Sequence, residues 1–560
     1  MTFKLKVSDR EYNDWEVFHA SSLSSVTLQL DPVKEKLFDQ DIFSIENDVV
    51  TLKHSSARHM PNIPGVLVLG RTYGKTKNGT FLYKCIPDDR RLPIFLIPHK
   101  IKLGFNKKKI NKYITFKFLH WNDRHPRGSI VQVIGLVNKL DHFYEYQLYC
   151  KSLYASIQNF TTETMRALKK RSTDEYITMI MDKYVVVDRR HDPVYSIDPK
   201  GSKDFDDAFG LLELQDGTTR LSIYIANVYL WLDVMELWSS FSRRIATIYL
   251  PDRKRPMLPT ILSDALCSLQ EQQTRFAFTM DIFYKDQTIT DIKYSNTCVK
   301  VTKNYVYEEK DLMSNNDYKQ IAEIMKIWNT KQKYVDHIND SHDIVAALMV
   351  MMNVFTAKEL QKFKTGIYRA LSLGMTGTID DKLPKKIKKF LKGWMSSGGK
   401  YVYHKDLCSH DLLKVDAYVH ITSPIRRLVD LLNIINLQDK LGFCVASEQA
   451  TIFTQNWTDS LPYINTTMRA IRKVQSDCSL LHLCMSNEEM LKKNFEGFIF
   501  EGIQRNDGLF QYLVYLHELN ITNRITIRHN LENFTMHMFK IYIFVDEDRL
   551  KQKIRLEIIV

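Results

Sequence analysis

Short β-prone runs divided by turn residues occupy both ends of this chain, and they restrict what it can fold into. Residues 66–69, 80–83, 94–97, 113–118 and 129–134 are such runs, broken by Lys77-Asn78-Gly79, Pro87-Asp88-Asp89 and Pro126-Arg127-Gly128. Five more follow at 496–500, 509–514, 524–528, 540–545 and 553–560. Short strands at this spacing predict small barrels. Between them, residues 155–185 are patterned as helix. The stretch 186–485 mixes strands (221–226, 276–280) with a mainly helical second half. Residues 341–360 are apolar on nearly every side and predict a buried helix whose methionines fill the core. Residues 1–60 carry few signals.

A chain of 560 residues needs several domains. Its 78 Lys+Arg against 65 Asp+Glu leave it at +13, a balance suited to an anionic partner, nucleic acid first. Small barrels of the OB type bind nucleic acid through aromatic stacking and cations. Tyr73, Tyr83, Phe95, Trp121 and Lys107-Lys108-Lys109 interleave with the first set of strands, although most of these aromatics are expected in the barrel core. The basic segment 385–394 reads as a solvated helix face with its apolar side packed inward. Eight scattered cysteines with no CxxC pair read as reduced thiols of an intracellular, cytoplasmic protein. The charged N-terminus lacks the apolar core of a signal peptide. The longest apolar run, 344–352, is too short for a bilayer, so no membrane partner is expected. High Lys, Ile, Asn and Tyr usage points to an AT-rich genome, such as that of a large DNA virus or a parasite.

The densest chemical signal is Ile197-Asp198-Pro199-Lys200-Gly201-Ser202-Lys203-Asp204-Phe205-Asp206-Asp207-Ala208. Four carboxylates this close repel one another unless a cation sits among them. Mg²⁺, which takes a few carboxylates together with substrate phosphates, answers that need. On an extended segment Asp204 and Asp206 share a face and Asp207 points the other way. A turn at Pro199 and Gly201 returns Asp198 toward the cluster.

The 198–208 signature, Tyr249-Leu250-Pro251-Asp252-Arg253 with Pro256-Met257-Leu258-Pro259, the 262–269 block, and His420-Ile421-Thr422-Ser423-Pro424-Ile425-Arg426-Arg427 resemble, in order and spacing, the catalytic domain of the ribonuclease II family. The resemblance covers residues 65–560. It implies an α+β multidomain chain: residues 1–60 an N-terminal segment or partial first OB barrel, 61–155 a cold-shock/OB region, 156–487 a mixed α/β RNB catalytic domain, and 488–560 a C-terminal OB-type RNA-binding barrel. It implies Mg²⁺-dependent 3′–5′ exonuclease action on single-stranded RNA, releasing nucleoside 5′-monophosphates from a monomer. Mn²⁺ is an acceptable substitute. By the same resemblance Asp198 and Asp207 hold one Mg²⁺. Asp204 and Asp206 serve a second ion that arrives with substrate, the attacking water or the 3′ end. Arg426 compensates charge on the scissile phosphate, Arg427 also contacts RNA, and Tyr249 stacks on a base near the 3′ end. Asn227 and Leu428 depart from the family pattern, which has Asp and an aromatic there.

Two other readings stand beside this one. The chain is a catalytically weak RNA-binding member of the family, acting as a regulatory protein; or His404, Cys408, His410 and His420 hold zinc.

Overall fold

The computed structural model describes residues 1–101, 108–372, 383–406 and 408–559, without the side chains of residues 396 and 397. Lys107 of the expected lysine triplet and Val560 of the last strand lie outside the described residues. The chain forms two compact units.

The first unit comprises residues 1–154, 250–253 and 472–560. It contains three five-stranded sheets with one strand order: along each segment, third, second, first, fourth, fifth. In the sheet of residues 63–136 the fifth strand returns beside the third. Arg127 of Arg127–Leu136 pairs in parallel with Leu96 of Phe95–Pro98 and closes the barrel. This is the OB arrangement that the turn spacing at both ends of the chain predicts. The same order in residues 2–54 went unsignalled because its strands are short; Ser25–Val26 has two residues. Its core merges with that of the neighbouring barrel: Phe38 stacks on Phe95 at 5.9 Å and lies 4.8 Å from Trp121. Tyr83, Phe95 and Trp121 are all core, whereas Tyr73 stays exposed with Lys84 Nζ 4.6 Å from its ring.

Helix Leu140–Cys150, hidden in the sequence by its run of aromatics, stacks Tyr146 on Tyr113 of the barrel at 4.3 Å. The third sheet, strands Asn494–Gln504 to Lys551–Ile559, buries Phe495, Ile499, Val514, Phe539 and Ile541. Leu480 and Cys484, ahead of the boundary expected at 487, belong to that core.

The second unit comprises residues 155–249 and 254–471. Its centre is a seven-stranded mixed sheet in the order Val186–Arg189, Thr288–Lys300, Thr274–Lys285, Thr219–Ala226, Asp207–Glu213, Tyr195–Asp198, Lys303–Val306. Strand Thr274–Lys285 runs Phe276, Ala277, Phe278, Thr279, Met280 with every residue buried, as a strand covered on both faces should be. Helix Ser341–Lys362 is largely buried, as its sequence predicts. It is not buried all round, however: Ala346 is exposed, and Met349 and Val350 are half-buried on a cleft. In Lys385–Ser397 Ile387 and Leu391 are buried while Lys385, Lys386 and Lys389 face solvent, the amphipathic reading of that segment.

Among the described residues no helix is long and apolar enough to cross a membrane.

Candidate active site

Asp198 ends one strand and Asp207 begins its antiparallel neighbour, paired through Tyr195 and Phe209. The connection turns at Pro199, whose carbonyl accepts from Ser202 N at 3.1 Å, and Gly201 takes φ +86°, a region that suits glycine. Residues 202–206 are an unpaired loop, not the extended segment expected, so Asp204 and Asp206 need not share a face. The 262–269 block explains how this loop is held. Ser268 Oγ accepts from Phe205 N at 3.0 Å and donates to Lys203 O at 2.8 Å, while Leu269 N donates to Phe205 O at 3.0 Å. A block recognisable in the sequence without an assigned task is therefore the clamp on the acidic loop.

All seven predicted side chains (Asp198, Asp204, Asp206, Asp207, Tyr249, Arg426, Arg427) line one cleft of about 970 Å³. They are not equivalent. Asp206 is buried and fully engaged: Oδ1 accepts from Ile425 N at 2.9 Å and Oδ2 from Arg426 Nε at 3.0 Å. Burial pushes its carboxyl up to about 7 against the pull of Arg426 and the Ile425 N–H. Asp204 Oδ1 accepts from Lys254 Nζ at 2.9 Å. Asp198 and Asp207 are different. Asp198 Oδ2 and Asp207 Oδ2 are shielded from solvent and, among the described residues, have no hydrogen-bond donor. Burial, then the charge of Asp204, raises Asp198 to about 6; burial, then the charges of Asp198 and Asp206, holds Asp207 well above the usual carboxylate range. Two shielded carboxylate oxygens without donors, on neighbouring strands, are a poor arrangement for a bare protein and a good one for a hard divalent cation. The donor set therefore fits Mg²⁺ at Asp198 and Asp207.

The two arginines divide their work. Arg426 keeps 43% of its side chain exposed, with Nε on Asp206 and Nη2 donating to Ser423 Oγ at 2.8 Å. Arg427 is anchored: its Nη2 meets Asp430 Oδ1 at 2.9 Å and its Nη1 lies 3.3 Å from His420 Nδ1. Tyr249 is 44% exposed. It sits in strand Ile248–Tyr249, directly across a two-stranded ribbon from Lys254.

Sequence reasoning missed Lys254, which fell between two quoted motif pieces, and gave no role to Asp264, whose Oδ1 lies 3.1 Å from Lys254 Nζ. It also missed Tyr307, whose N–H donates to Asp198 O at 3.2 Å and whose ring stacks on His342 at 3.6 Å. Neither has a local signal toward the acidic loop, because Lys254 reaches Asp204, and Tyr307 reaches Asp198, from distant parts of the chain. Asn227 and Leu428, the departures from the family pattern, do not line the cleft. Asn227 is buried in an amide network with Asn296 and Gln438, and Leu428 is a core residue. Among the described residues no three His, Cys, Asp or Glu side chains gather as a metal-holding group; Cys408 Sγ turns to Asp406 O at 3.1 Å, and His410 lies buried against Tyr418.

A mixed α/β unit that opens four carboxylates and an arginine onto one cleft, in one chain with three OB-ordered sheets, defines the RNB-type architecture. Comparison with known proteins agrees. Residues 186–337 match the RNB domain. Ribonuclease R of Vibrio cholerae is 26% identical over 422 residues, covering 61% of this chain and 50% of that protein. DIS3-like exonuclease 2 of Schizosaccharomyces pombe is 27% identical over 240 residues, covering 40% of this chain and 25% of that protein. The fold matches Mycoplasma genitalium RNase R, solved in complex with ribose-methylated single-stranded RNA, with a TM-score of 0.70 and 16% identity over 100% of both chains. The chain is thus similar to RNB-domain ribonucleases, with the family match confined to residues 186–337. It spans a quarter to a half of the length of these two curated relatives.

Proposed function

We propose that this chain is a Mg²⁺-dependent exoribonuclease that hydrolyses single-stranded RNA from its 3′ end and releases nucleoside 5′-monophosphates. The observation that carries this reading is the Asp198–Asp207 pair. Its two donorless oxygens call for a cation, and Arg426 lines the same cleft with exposed surface for a phosphate. Mg²⁺ bound by Asp198 and Asp207 would supply Lewis-acid chemistry, neutralising charge on the scissile phosphate and activating the attacking water.

The chain's own residues do the rest. Asp206 fixes Nε of Arg426 and so sets the direction of the guanidinium. The remainder of that planar fork binds the phosphate, where its effect is greatest as charge develops in the transition state. Tyr249 offers an exposed ring for a terminal base, and stacking of this kind tolerates any base. Met349 and Val350 give an apolar wall to the same cleft, against which bases can lie without sequence preference.

The test uses RNA labelled at its 3′ end, incubated with the whole chain and Mg²⁺. The label should appear first as a free 5′-mononucleotide, and a chelator should stop its release. Release of label as an internal fragment, or none at all from folded protein, would contradict the reading.

A further inference from the structure

Asp198, Asp204, Asp206, Asp207 and Asp264 all line the cleft, and among the described residues only three of them have an ion-pair partner. Asp206 has Arg426. Asp204 and Asp264 share Lys254, whose Nζ lies 2.9 Å from Asp204 Oδ1 and 3.1 Å from Asp264 Oδ1. The clamp is built from several sides. Lys254 is fixed in a ribbon opposite Tyr249, Asp264 accepts from Ser263 Oγ, and the loop carrying Asp204 is pinned by Ser268. Only a quarter of the Lys254 side chain is exposed, and it faces the same cleft.

A Mg²⁺ ion needs its oxygens at about 2.0–2.1 Å and in near-octahedral array. A carboxylate whose oxygen already accepts an ammonium at 2.9 Å is a weaker ligand for that array, because the ammonium neutralises part of its charge and repels a second cation nearby. The ammonium is also a compact charge with three N–H donors, two of which serve the carboxylates.

We propose that Lys254 is a resident cation standing where a second metal ion would otherwise sit. The cleft takes a single divalent ion, at Asp198 and Asp207, and the Lys254 ammonium neutralises the Asp204–Asp264 side as the RNA phosphate enters. This rests on the nuclease reading above and deepens it. Lys254 acts as a positioning residue through Asp204 and Asp264; a merely structural ion pair would leave the metal count unchanged on its removal.

The test counts Mn²⁺ by electron paramagnetic resonance titration of the full chain, saturated with single-stranded RNA whose 3′-terminal linkages cannot be cleaved. Wild type and Lys254→Arg should bind one Mn²⁺ per chain. Lys254→Met should bind two, the second at least tenfold more weakly; Lys254→Gln serves the same count if the methionine variant does not fold. Two ions in wild type, or one in every variant, would overturn the role of Lys254 while leaving the nuclease reading intact. No bound ion in any of the proteins would overturn the nuclease reading, and this inference with it.

Discussion

Arg426 Nε donates to Asp206 Oδ2 at 3.0 Å and ties together two sequence blocks that lie 220 residues apart. The contact orients a cation that keeps 43% of its surface exposed. Replacing Arg426 by Lys keeps the charge and loses the planar fork. Turnover of RNA should fall by about 10²-fold or more, in the range seen when one transition-state donor is removed, while affinity for RNA changes by only a few-fold. Single-turnover rates and filter binding on the same variant check this. Equal losses in both would show that Arg426 only binds.

Ser268 has no surface exposure, yet it sets the loop that carries Asp204 and Asp206. Ser268→Ala removes two hydrogen bonds, worth about 1–2 kcal/mol of stability together. Activity should drop about tenfold or more at a temperature where the variant remains fully folded, because a loosened loop misplaces the carboxylates. Denaturant melts beside initial rates separate the two effects.

Asp233 collects donors from four residues: Ser447, Tyr184, Lys183 and Trp238. Burial pushes its carboxyl up, and these bonds more than offset that, leaving it below the usual range. Asp233→Ala strands the donors in the interior and should cost about 3 kcal/mol or more of the unit's stability. The group's contribution is present above its unfolded pKa, near 3.9, and is lost as pH falls through the lower folded value, so the wild-type and alanine melts should converge in strong acid. A constant gap down to low pH would refute the assignment.

His410 is buried and His420 half-buried on the cleft, and both are disfavoured as cations. Burial, then Arg369, drives His410 down to about 4, and burial, then Arg427, holds His420 well below 6.5. Unfolded histidines take up protons near 6.5, and folded His410 does not until about 4. Between those values the unfolded state binds more protons, so the stability linked to His410, full above about 6.5, falls as pH drops, by about 3 kcal/mol in all. The cleft carboxylates, raised rather than lowered, act with the opposite sign, so the comparison belongs between variants. His410→Gln should lose less stability than wild type between pH 6.5 and 4.5 in thermal melts.

The strands at both ends of the chain were legible because a barrel leaves a local trace: a short apolar run, a turn, another run. The sheet of residues 2–54 left little trace because its strands are short and it borrows core from the next barrel through Phe38. The acidic signature located the site, since four close carboxylates in a basic chain have few uses. How those carboxylates divide was not legible. The division depends on Ile425, Arg426, Lys254 and Ser268, which reach the loop from blocks 50 to 220 residues away. Asn227 shows the opposite case: a departure from the family pattern lies away from the cleft, buried among its amide partners.

The proposed activity is the shortening of RNA from its 3′ end. The most direct measurement is a time course on 5′-labelled single-stranded RNA with Mg²⁺, wild type beside Asp206→Asn. Wild type should give a ladder that shortens stepwise, and Asp206→Asn should leave RNA uncut but still bound, because the charge that orients Arg426 is gone. Intact RNA with folded wild-type protein, or cutting by Asp206→Asn at the wild-type rate, would contradict it.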